Sequence, residues 1–379
     1  VRWLRAAVLM IAILFIAFWA FRLAQPQAFQ GPGLFGLQLN QRWLDDMRYI
    51  QRLMSGEIDY PPSHQWADRA PVTYMLENMV KWGLGLPLGL AVCFAWGLMG
   101  WQLLRHGQLR PLLPWSWMTL TFLYQSVQFV KTIRYLLPIY PAMALMAGYV
   151  VVRLCDSFRR RRRAGLPGWR GWAALGGAVL PLAGALLWGT AVAGIYTRPV
   201  TRVEASRCIY TYLPPGSAIS NELWDDALPL TMDEIAGRPP LRSYERSELT
   251  VWAPDSGDKV DKLATELASS DYLAVASNRA YAPIKRLGVR YPMTFQYYRQ
   301  LFSGELGYEL AAEFSAYPRL GSLVIRDDNA DESFSVYDHP RPMIFQNVGR
   351  LSADEIAGRL QRHLPSEGYG RSRTGGPVL

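Results

Sequence analysis

Two cations, Lys131 and Arg134, stand in a short break between apolar segments. A cation at the centre of a bilayer costs about 2.5–3.5 kcal/mol, whereas a cation at a membrane end can reach a headgroup phosphate. The planar fork of arginine suits a phosphate bidentately. Pro138 and Pro141 follow closely and are tolerated in a span that is kinked or faces a cavity. We therefore slightly favour a phosphate clamp over simple interfacial anchoring.

Polar and aromatic side chains also cluster in the loop between the first two apolar segments. His64 and Asp68 could do general-base work, and Trp66 could stack on a sugar or a lipid headgroup. Since no nucleophile or second base is spaced with them, an ordered loop with capped turns is the simpler interpretation. Six residues are nevertheless candidates for lining a substrate cleft: Tyr60, His64, Trp66, Asp68, Arg69 and Tyr135.

Other chemistry-bearing residues give weaker signals. The carboxylate pairs Asp225–Asp226 and Asp327–Asp328 lack the spacing of a calcium loop and are expected to cap helices or turns. The three cysteines and four histidines are scattered along the chain, so no disulfide framework or metal cluster is predicted. No cofactor is therefore assigned, although a divalent metal stays open as an alternative.

The net charge of +9 is distributed unevenly. Residues 1–196 hold 19 Lys and Arg against 7 Asp and Glu, whereas residues 197–379 hold 21 against 24. Much of the positive excess lies in the run Arg159–Arg163 rather than on a folded basic face with aromatic platforms, so we exclude nucleic acid as a partner. The run is expected to anchor the topology, with an anionic-lipid site as the alternative.

Five apolar stretches are long enough to cross about 30 Å of hydrocarbon. Trp82, Trp101, Trp115 and Trp172 stand near their edges, as in the aromatic belts of membrane proteins. The five predicted spans cover about residues 4–23, 83–104, 112–130, 135–154 and 172–196.

Lys and Arg in the loops predict the orientation. The cations before the first span, Arg105 and Arg110 after the second, and the arginine run after the fourth fall on one side if all five spans cross. We assign that side to the cytoplasm. The prediction is an integral protein of the cell (cytoplasmic) membrane with its N-terminus inside. The loop 24–78, the Lys131–Arg134 loop and all residues after 196 are then outside, in contact with membrane lipids.

The predicted fold is thus an α-helical polytopic membrane region, residues 1–196, followed by an extracytoplasmic α/β domain at 197–350. Helix and strand patterns alternate along that domain. Residues 351–379 are expected to form a helix and a disordered tail. In loop 24–78, Leu39–Met54 has the apolar period of an amphipathic helix, and 60–71 is expected to be extended. The expected elements after residue 196 are helices at Val203–Leu213, Lys259–Leu267, Pro292–Phe302 and Ala353–Leu364, and strands at Ser217–Ser220, Tyr272–Ala276, Tyr308–Phe314, Phe334–Tyr337 and Met343–Phe345.

The stretch Arg134–Pro141, with the sequence RYLLPIYP, precedes a span rich in Ala, Leu and Gly. It resembles the late segment of polyprenyl-phosphate-dependent membrane glycosyltransferases of the GT-C superfamily, which includes protein O-mannosyltransferases and aminoarabinose transferases. Four further stretches are similar to a bacterial branch of that family, and the resemblance covers most of the chain from about Ala24 to Phe345. These stretches are residues 60–69, 221–229, 301–308 and 332–340.

The resemblance implies an inverting transfer of a sugar from a polyprenyl-phosphate donor to a glycan, lipid or protein acceptor on the outer face. An acidic residue of the first outside loop would act as general base, and an arginine near the membrane would stabilise the departing phosphate. Arg134 matches that arginine, with Lys131 as its helper. The family's acidic loop has no counterpart here and the chain opens at Val1, so we expect a C-terminal part whose catalytic base lies outside this sequence.

Two other classes of protein remain as alternatives. One is a non-catalytic membrane subunit whose outside domain binds a glycan or a partner. The other is a polyprenyl-lipid transporter, which is disfavoured because the sequence has no internal repeat.

Overall fold

The computed structural model describes residues 2–31, 33–165, 168–232 and 243–362. By its internal contacts the chain divides into two compact units, the first ending at Tyr60 and the second beginning at Pro61. The predicted domain boundary at 196–197 therefore falls inside the second unit. The predicted disordered tail lies outside the described residues.

The first unit consists of two helices joined by a small hairpin. Helix α1 (Arg2–Ala24) is followed by a 3-10 turn (Pro26–Ala28), paired antiparallel strands β1 (Phe29–Gln30) and β2 (Gln38–Leu39), and helix α2 (Gln41–Ser55). The side chain of Asn40 caps α2 by accepting from the Arg42 N–H, and Gly56 ends it in the left-handed region. The helix predicted from the period of Leu39–Met54 is confirmed, while its position on a membrane surface stays a prediction.

The second unit begins with helical segments that lead into a bundle. A 3-10 helix (Pro61–Trp66), helix α3 (Thr73–Asn78) and a π-helical turn (Met79–Gly83) precede helix α4 (Leu86–His106). Helices α5 (Leu112–Val127), α6 (Tyr140–Arg163) and α7 (Trp169–Ala193) follow, and α4, α6 and α7 pack on one another. The contact between α4 and α7 is close at Gly184, where an added Cβ would lie 2.5 Å from Cγ of Pro87.

Four helical segments are long and apolar enough to cross a membrane: Ala7–Ala24, Leu86–His106, Ile133–Arg163 and Trp169–Ala193. These segments indicate a membrane protein. The predicted third span, helix α5, has 16 residues, which is shorter than the usual minimum for spanning hydrocarbon. The predicted fourth span begins with a 3-10 segment (Ile133–Ile139) that contains Pro138, and its α-helix continues through the arginine run to Arg163.

A five-stranded mixed sheet forms the centre of the C-terminal region. Its order is β4 (Glu245–Leu249), β3 (Ala218–Glu222), β5 (Tyr272–Val275), β9 (Met343–Asn347) and β6 (Tyr308–Glu313). Strand β3 runs parallel to β4 and β5, whereas β9 runs antiparallel to β5 and β6. Strands β7 (Arg319–Leu320) and β8 (Leu323–Val324) form a separate hairpin.

Helices cover both faces of this sheet, because successive strand residues point to opposite sides. Leu273 and Val275 of β5 contribute to one buried cluster, to which α9 (Gly257–Ser269), α11 (Pro292–Ser303) and α13 (Ala353–Gln361) also contribute. Ala274 contributes to the opposite cluster with α8 (Thr201–Tyr212). The short helices α10 (Tyr281–Arg286) and α12 (Glu332–Ser335) complete the region. A sheet with helices on both faces agrees with the predicted α/β class.

Two local predictions are wrong, each for a physical reason. The strand predicted at Phe334–Tyr337 is instead the short helix α12 and the turn after it, because the Asp331 carboxylate caps the Ser333 N–H at 2.9 Å. The stretch predicted to be extended after Tyr60 forms the 3-10 helix Pro61–Trp66, where prolines occupy the first two positions and need no N–H partner.

Candidate functional site

The loop between α5 and α6 is bound directly to the C-terminal region. The hydroxyls of Thr132 and Ser333 lie 2.8 Å apart, and the Ile133 N–H donates to Oδ2 of Asp331 at 3.3 Å. The Asp331 N–H in turn donates to Oδ1 of Asn78 at 2.7 Å. Asp331 therefore joins segments that lead into two different apolar helices, and we call this set of contacts the Asp331 junction.

Burial changes the pKa of the Asp331 carboxyl group at the centre of the Asp331 junction. Asp331 is fully buried, and this burial raises the pKa of its carboxyl group, although the hydrogen bonds from Ser333 and Ile133 oppose the rise. The polar contacts between the loop and the C-terminal region therefore lie in a nearly water-free environment, where each hydrogen bond is costly to lose.

Arg134 and Lys131, the predicted phosphate ligands, lie in different environments. Arg134 is exposed, and its guanidinium carbon lies 5.8 Å from the ring centre of Tyr337. Lys131 is 5% exposed, and its ammonium group donates to the Phe129 carbonyl at 3.3 Å. Burial also lowers the pKa of Lys131. In this conformation Arg134 is accessible to a ligand, whereas the role of Lys131 as a helper stays a prediction.

A second arginine that was not predicted accompanies Arg134. The guanidinium carbon of Arg279 lies 5.6 Å from the same Tyr337 ring. Its position is fixed by a hydrogen bond to the Trp224 carbonyl at 2.8 Å, while its backbone N–H donates to Ser277 Oγ at 3.1 Å. Within the described ranges, neither guanidinium has a carboxylate at ion-pair distance. We call Arg134, Arg279 and Tyr337 the two-arginine site.

The predicted cleft residues separate into buried and accessible members. His64 stacks on Trp252 with ring centres 5.0 Å apart, and His64 and Trp66 are both buried. Asp68 is exposed and has a φ of 54°, while Tyr135 and Tyr60 are half-buried. Tyr60 belongs to the first unit.

Arg286 of helix α10 holds the strip that contains His64 and Trp66. It donates to the Gln65 carbonyl at 2.7 Å and to the Ala67 carbonyl at 3.3 Å. Because these main-chain bonds and the Trp252 stacking seat the strip in the protein interior, His64 and Trp66 act here as packing groups. Their assignment to a substrate cleft stays a prediction.

Arg69 differs from the other five cleft candidates in lining a large open groove of about 1070 Å³. Segments from three separate regions of the sequence form this groove: 69–82, 278–302 and 326–332. We call it the basic groove, because six Lys and Arg residues line it against three Asp and Glu residues. Aromatic side chains, including Trp82, Tyr281 and Phe302, form part of its wall.

Glu332 is the buried carboxylate of the basic groove. Its Oε1 accepts from Nη2 of Arg286 at 3.1 Å and lies 3.9 Å from Nη2 of Arg69. Burial raises the pKa of Glu332 to about 7 despite the opposing charge of Arg286. Among the described residues its Oε2 has no hydrogen-bond partner. Glu332 can therefore exchange a proton near neutral pH or accept a hydrogen bond from a ligand.

The paired carboxylates contact basic side chains. Arg202 contacts Asp225 at 3.1 Å and Asp226 at 3.2 Å, and Asp327 lies 2.6 Å from Nε2 of His339. In the part of the chain that the structure describes, no three His, Cys, Asp or Glu side chains are grouped so that they could hold a metal ion.

Sequence reasoning missed Arg279, Tyr337 and Glu332. Tyr337 and Glu332 belong to the stretch 332–340, which the resemblance singled out without assigning chemistry to it. Arg279 carried no signal, since 145 positions separate it from Arg134 and only the fold brings both to one ring.

No family model, curated protein or solved structure matches this chain. The structure by itself defines a chain with four helices that could cross a membrane and a C-terminal region that contains a sheet.

Proposed function

We propose that the chain is the C-terminal part of an integral-membrane glycosyltransferase, which moves a sugar from a polyprenyl-phosphate donor to a glycan, lipid or protein acceptor on the outer face with inversion. The observation that carries the proposal is the two-arginine site. It lies beside the loop between two apolar helices and presents an exposed guanidinium without a carboxylate partner among the described residues. The resemblance of Arg134–Pro141 to the polyprenyl-phosphate-dependent enzymes supports the same ligand.

The two-arginine site suits a phosphate for electrostatic reasons. The guanidinium groups of Arg134 and Arg279 lie 5.8 Å and 5.6 Å from the centre of one ring, so an anion bound beside this ring would be attracted by both. Hydrogen bonds from arginine to phosphate are charge-assisted and frequently bidentate. As the sugar leaves its lipid carrier, negative charge increases on the phosphate, and donors already aimed at it stabilise the transition state. Arg134 would bind the departing phosphate, and Arg279 would assist it in place of the buried Lys131.

The proposed topology has five spans, with α5 as the third, the N-terminus inside and the C-terminal region outside. The placement of the Asp331 junction supports it, because the segment before α4 and the loop before α6 both bind the C-terminal region. The arginine run ends α6 at the far end from Arg134. A cationic end on the cytoplasmic side agrees with the positive-inside rule. The catalytic base is proposed to come from residues outside this sequence.

A non-catalytic subunit with a glycan-binding outside region is the second candidate. The basic groove favours it, because binding there needs no catalytic base. The two proposals differ in one property, since only a transferase releases polyprenyl phosphate from a polyprenyl-phosphate sugar.

The test is a transfer assay with the full-length enzyme in nanodiscs and a panel of polyprenyl-phosphate sugars, with release of polyprenyl phosphate as the readout. The Arg134→Ala variant should insert normally and lose most of its activity, while Arg134→Lys should keep a fraction because it retains charge without the fork. Arg110→Ala, which removes an exposed cation from the loop between α4 and α5, is the matched control. Normal activity in Arg134→Ala would show that Arg134 does not bind the phosphate. If neither the wild type nor any variant releases polyprenyl phosphate, the non-catalytic subunit is favoured.

A further inference from the structure

The basic groove carries more positive charge than its own carboxylates neutralise. Of its six cations, Lys81 pairs with Glu77 at 2.6 Å and Arg286 pairs with Glu332. Lys285, Arg299 and Arg326 are exposed, and within the described ranges none of the three has a carboxylate within ion-pair distance. These three side chains lie on α10, on α11 and in the segment before α12. The groove is therefore an electrostatic site for an anion with several charged groups.

The wall of the basic groove also offers flat apolar surface. Tyr281 packs edge-to-face against Phe302 with ring centres 5.3 Å apart, and Phe302 remains 47% exposed. Trp82 also lines the groove, and its ring centre lies 6.3 Å from that of Phe334. Aromatic rings combine an apolar body with an electron-rich face. Such rings in a groove that is also lined by cations suit a ligand built from rings that carry C–H faces and anionic substituents.

Glu332 provides an acceptor within the same groove. Its side chain is 4% exposed, and Oε2 has no partner among the described residues. A buried polar atom without a hydrogen bond destabilises the protein, so a ligand hydroxyl that donated to Oε2 would relieve that cost. A fully deprotonated inorganic anion such as sulfate has no such donor, whereas a sugar has several.

We propose that the basic groove binds an anionic oligosaccharide, whose carboxylate or phosphate groups contact Lys285, Arg299 and Arg326 and one of whose hydroxyls donates to Glu332. Binding itself does not depend on sugar transfer. The identification of this saccharide as the acceptor rests on the proposed function.

The experiment measures binding of fluorescently labelled tetragalacturonate to the full chain in phosphatidylcholine nanodiscs, without any polyprenyl phosphate. The groove variant replaces Lys285, Arg299 and Arg326 with glutamine. The control variant replaces three exposed cations that do not line the groove, Arg207, Arg246 and Lys262, with glutamine and so makes the same change in net charge. We expect the groove variant to bind at least tenfold more weakly and the control variant to bind within about twofold of wild type.

Two further arms identify the ligand class. Neutral maltotetraose should bind at least tenfold more weakly than tetragalacturonate, and Glu332→Gln should weaken tetragalacturonate binding several-fold at pH 8. The proposal is overturned if both triple variants lose affinity equally, if maltotetraose binds as well, or if an acidic tetrapeptide binds as tightly as the saccharide. It is also overturned if farnesyl phosphate displaces tetragalacturonate competitively, since the groove would then belong to the lipid donor. Because no sugar donor is present, failure of the proposed transfer would leave these results unchanged.

Discussion

The guanidinium of Arg134, beside the start of an apolar helix, lies 5.8 Å from the ring centre of Tyr337, which is 203 positions later in the chain. Tyr337 is 52% exposed, so the pair is accessible to a ligand. The arrangement links the loop that could meet a lipid phosphate to the region that carries the sheet.

Removing the Tyr337 ring should weaken lipid-phosphate binding moderately. A cation over an exposed ring is worth about 0.5–1 kcal/mol, so Tyr337→Leu should lower the affinity for polyprenyl phosphate about two- to fivefold. Tyr337→Phe keeps the ring and serves as the control. Equal losses in the two variants would indicate that the hydroxyl, rather than the ring, matters.

The Asp331 junction should control how firmly the loop before α6 is held. Asp331→Ala leaves the N–H groups of Ile133 and Ser333 without their acceptor in a buried environment. Each unsatisfied N–H group should lower the free energy of unfolding by at most about 1–3 kcal/mol. We expect a lower thermal midpoint in detergent and faster hydrogen exchange at Ile133. Asp261→Ala, an exposed change on α9, should have no such effect. Unchanged exchange at Ile133 would contradict this role.

A close helix contact gives a stability prediction with a control on the same helix. At Gly184 an added Cβ would lie 2.5 Å from Cγ of Pro87, so Gly184→Ala must separate α4 from α7. Overpacking of this kind costs about 1–3 kcal/mol. At Gly189 no atom lies within 4 Å of an added Cβ, so Gly189→Ala should be neutral or slightly stabilising. Thermal unfolding of both variants in one detergent compares them, and equal midpoints would refute the close contact.

Glu222 should make stability depend on pH. Its Oε1 accepts from the Tyr298 hydroxyl at 2.8 Å, and burial raises its pKa from 4.5 to about 8. Between these values the folded state keeps the proton and the unfolded state does not. The stabilising contribution of the neutral carboxyl is therefore complete below pH 4.5 and falls by about 1.4 kcal/mol per pH unit as pH rises towards 8.

Glu222→Gln should remove that slope, because an amide does not titrate in this range. The measurement is the free energy of unfolding from pH 5 to pH 8 for wild type and variant. Parallel curves would show that Glu222 ionises with an ordinary pKa. A carboxylate in a surface ion pair would instead make the free energy of unfolding rise with pH.

The sequence was sufficient where local pattern decides structure. Apolar length predicted α1, α4, α6 and α7, and the helical period of Leu39–Met54 predicted α2. Strand β4 was missed because its sequence, Glu-Arg-Ser-Glu-Leu, is nearly all polar, as an edge strand can be. At Phe334–Tyr337 the alternation of apolar residues predicted a strand, but capping by Asp331 starts a helix there.

The candidate site was less accessible to sequence reasoning because its parts come from distant positions. The spacing of Lys131 and Arg134 suggested one clamp, yet in the fold Lys131 is buried and Arg134 is exposed. The basic groove combines segments more than 200 positions apart, so no local motif could predict it.

The most direct test of the central claim is the binding of polyprenyl phosphate compared with that of the uncharged polyprenol, in nanodiscs that contain wild type or Arg134→Ala. Charge-assisted hydrogen bonds to one phosphate are worth about 1.5–3 kcal/mol. Wild type should therefore prefer the phosphate by at least tenfold, and Arg134→Ala should lose most of that preference while still binding polyprenol normally. An equal preference for the phosphate in both proteins would contradict the assignment of Arg134 as a lipid-phosphate ligand.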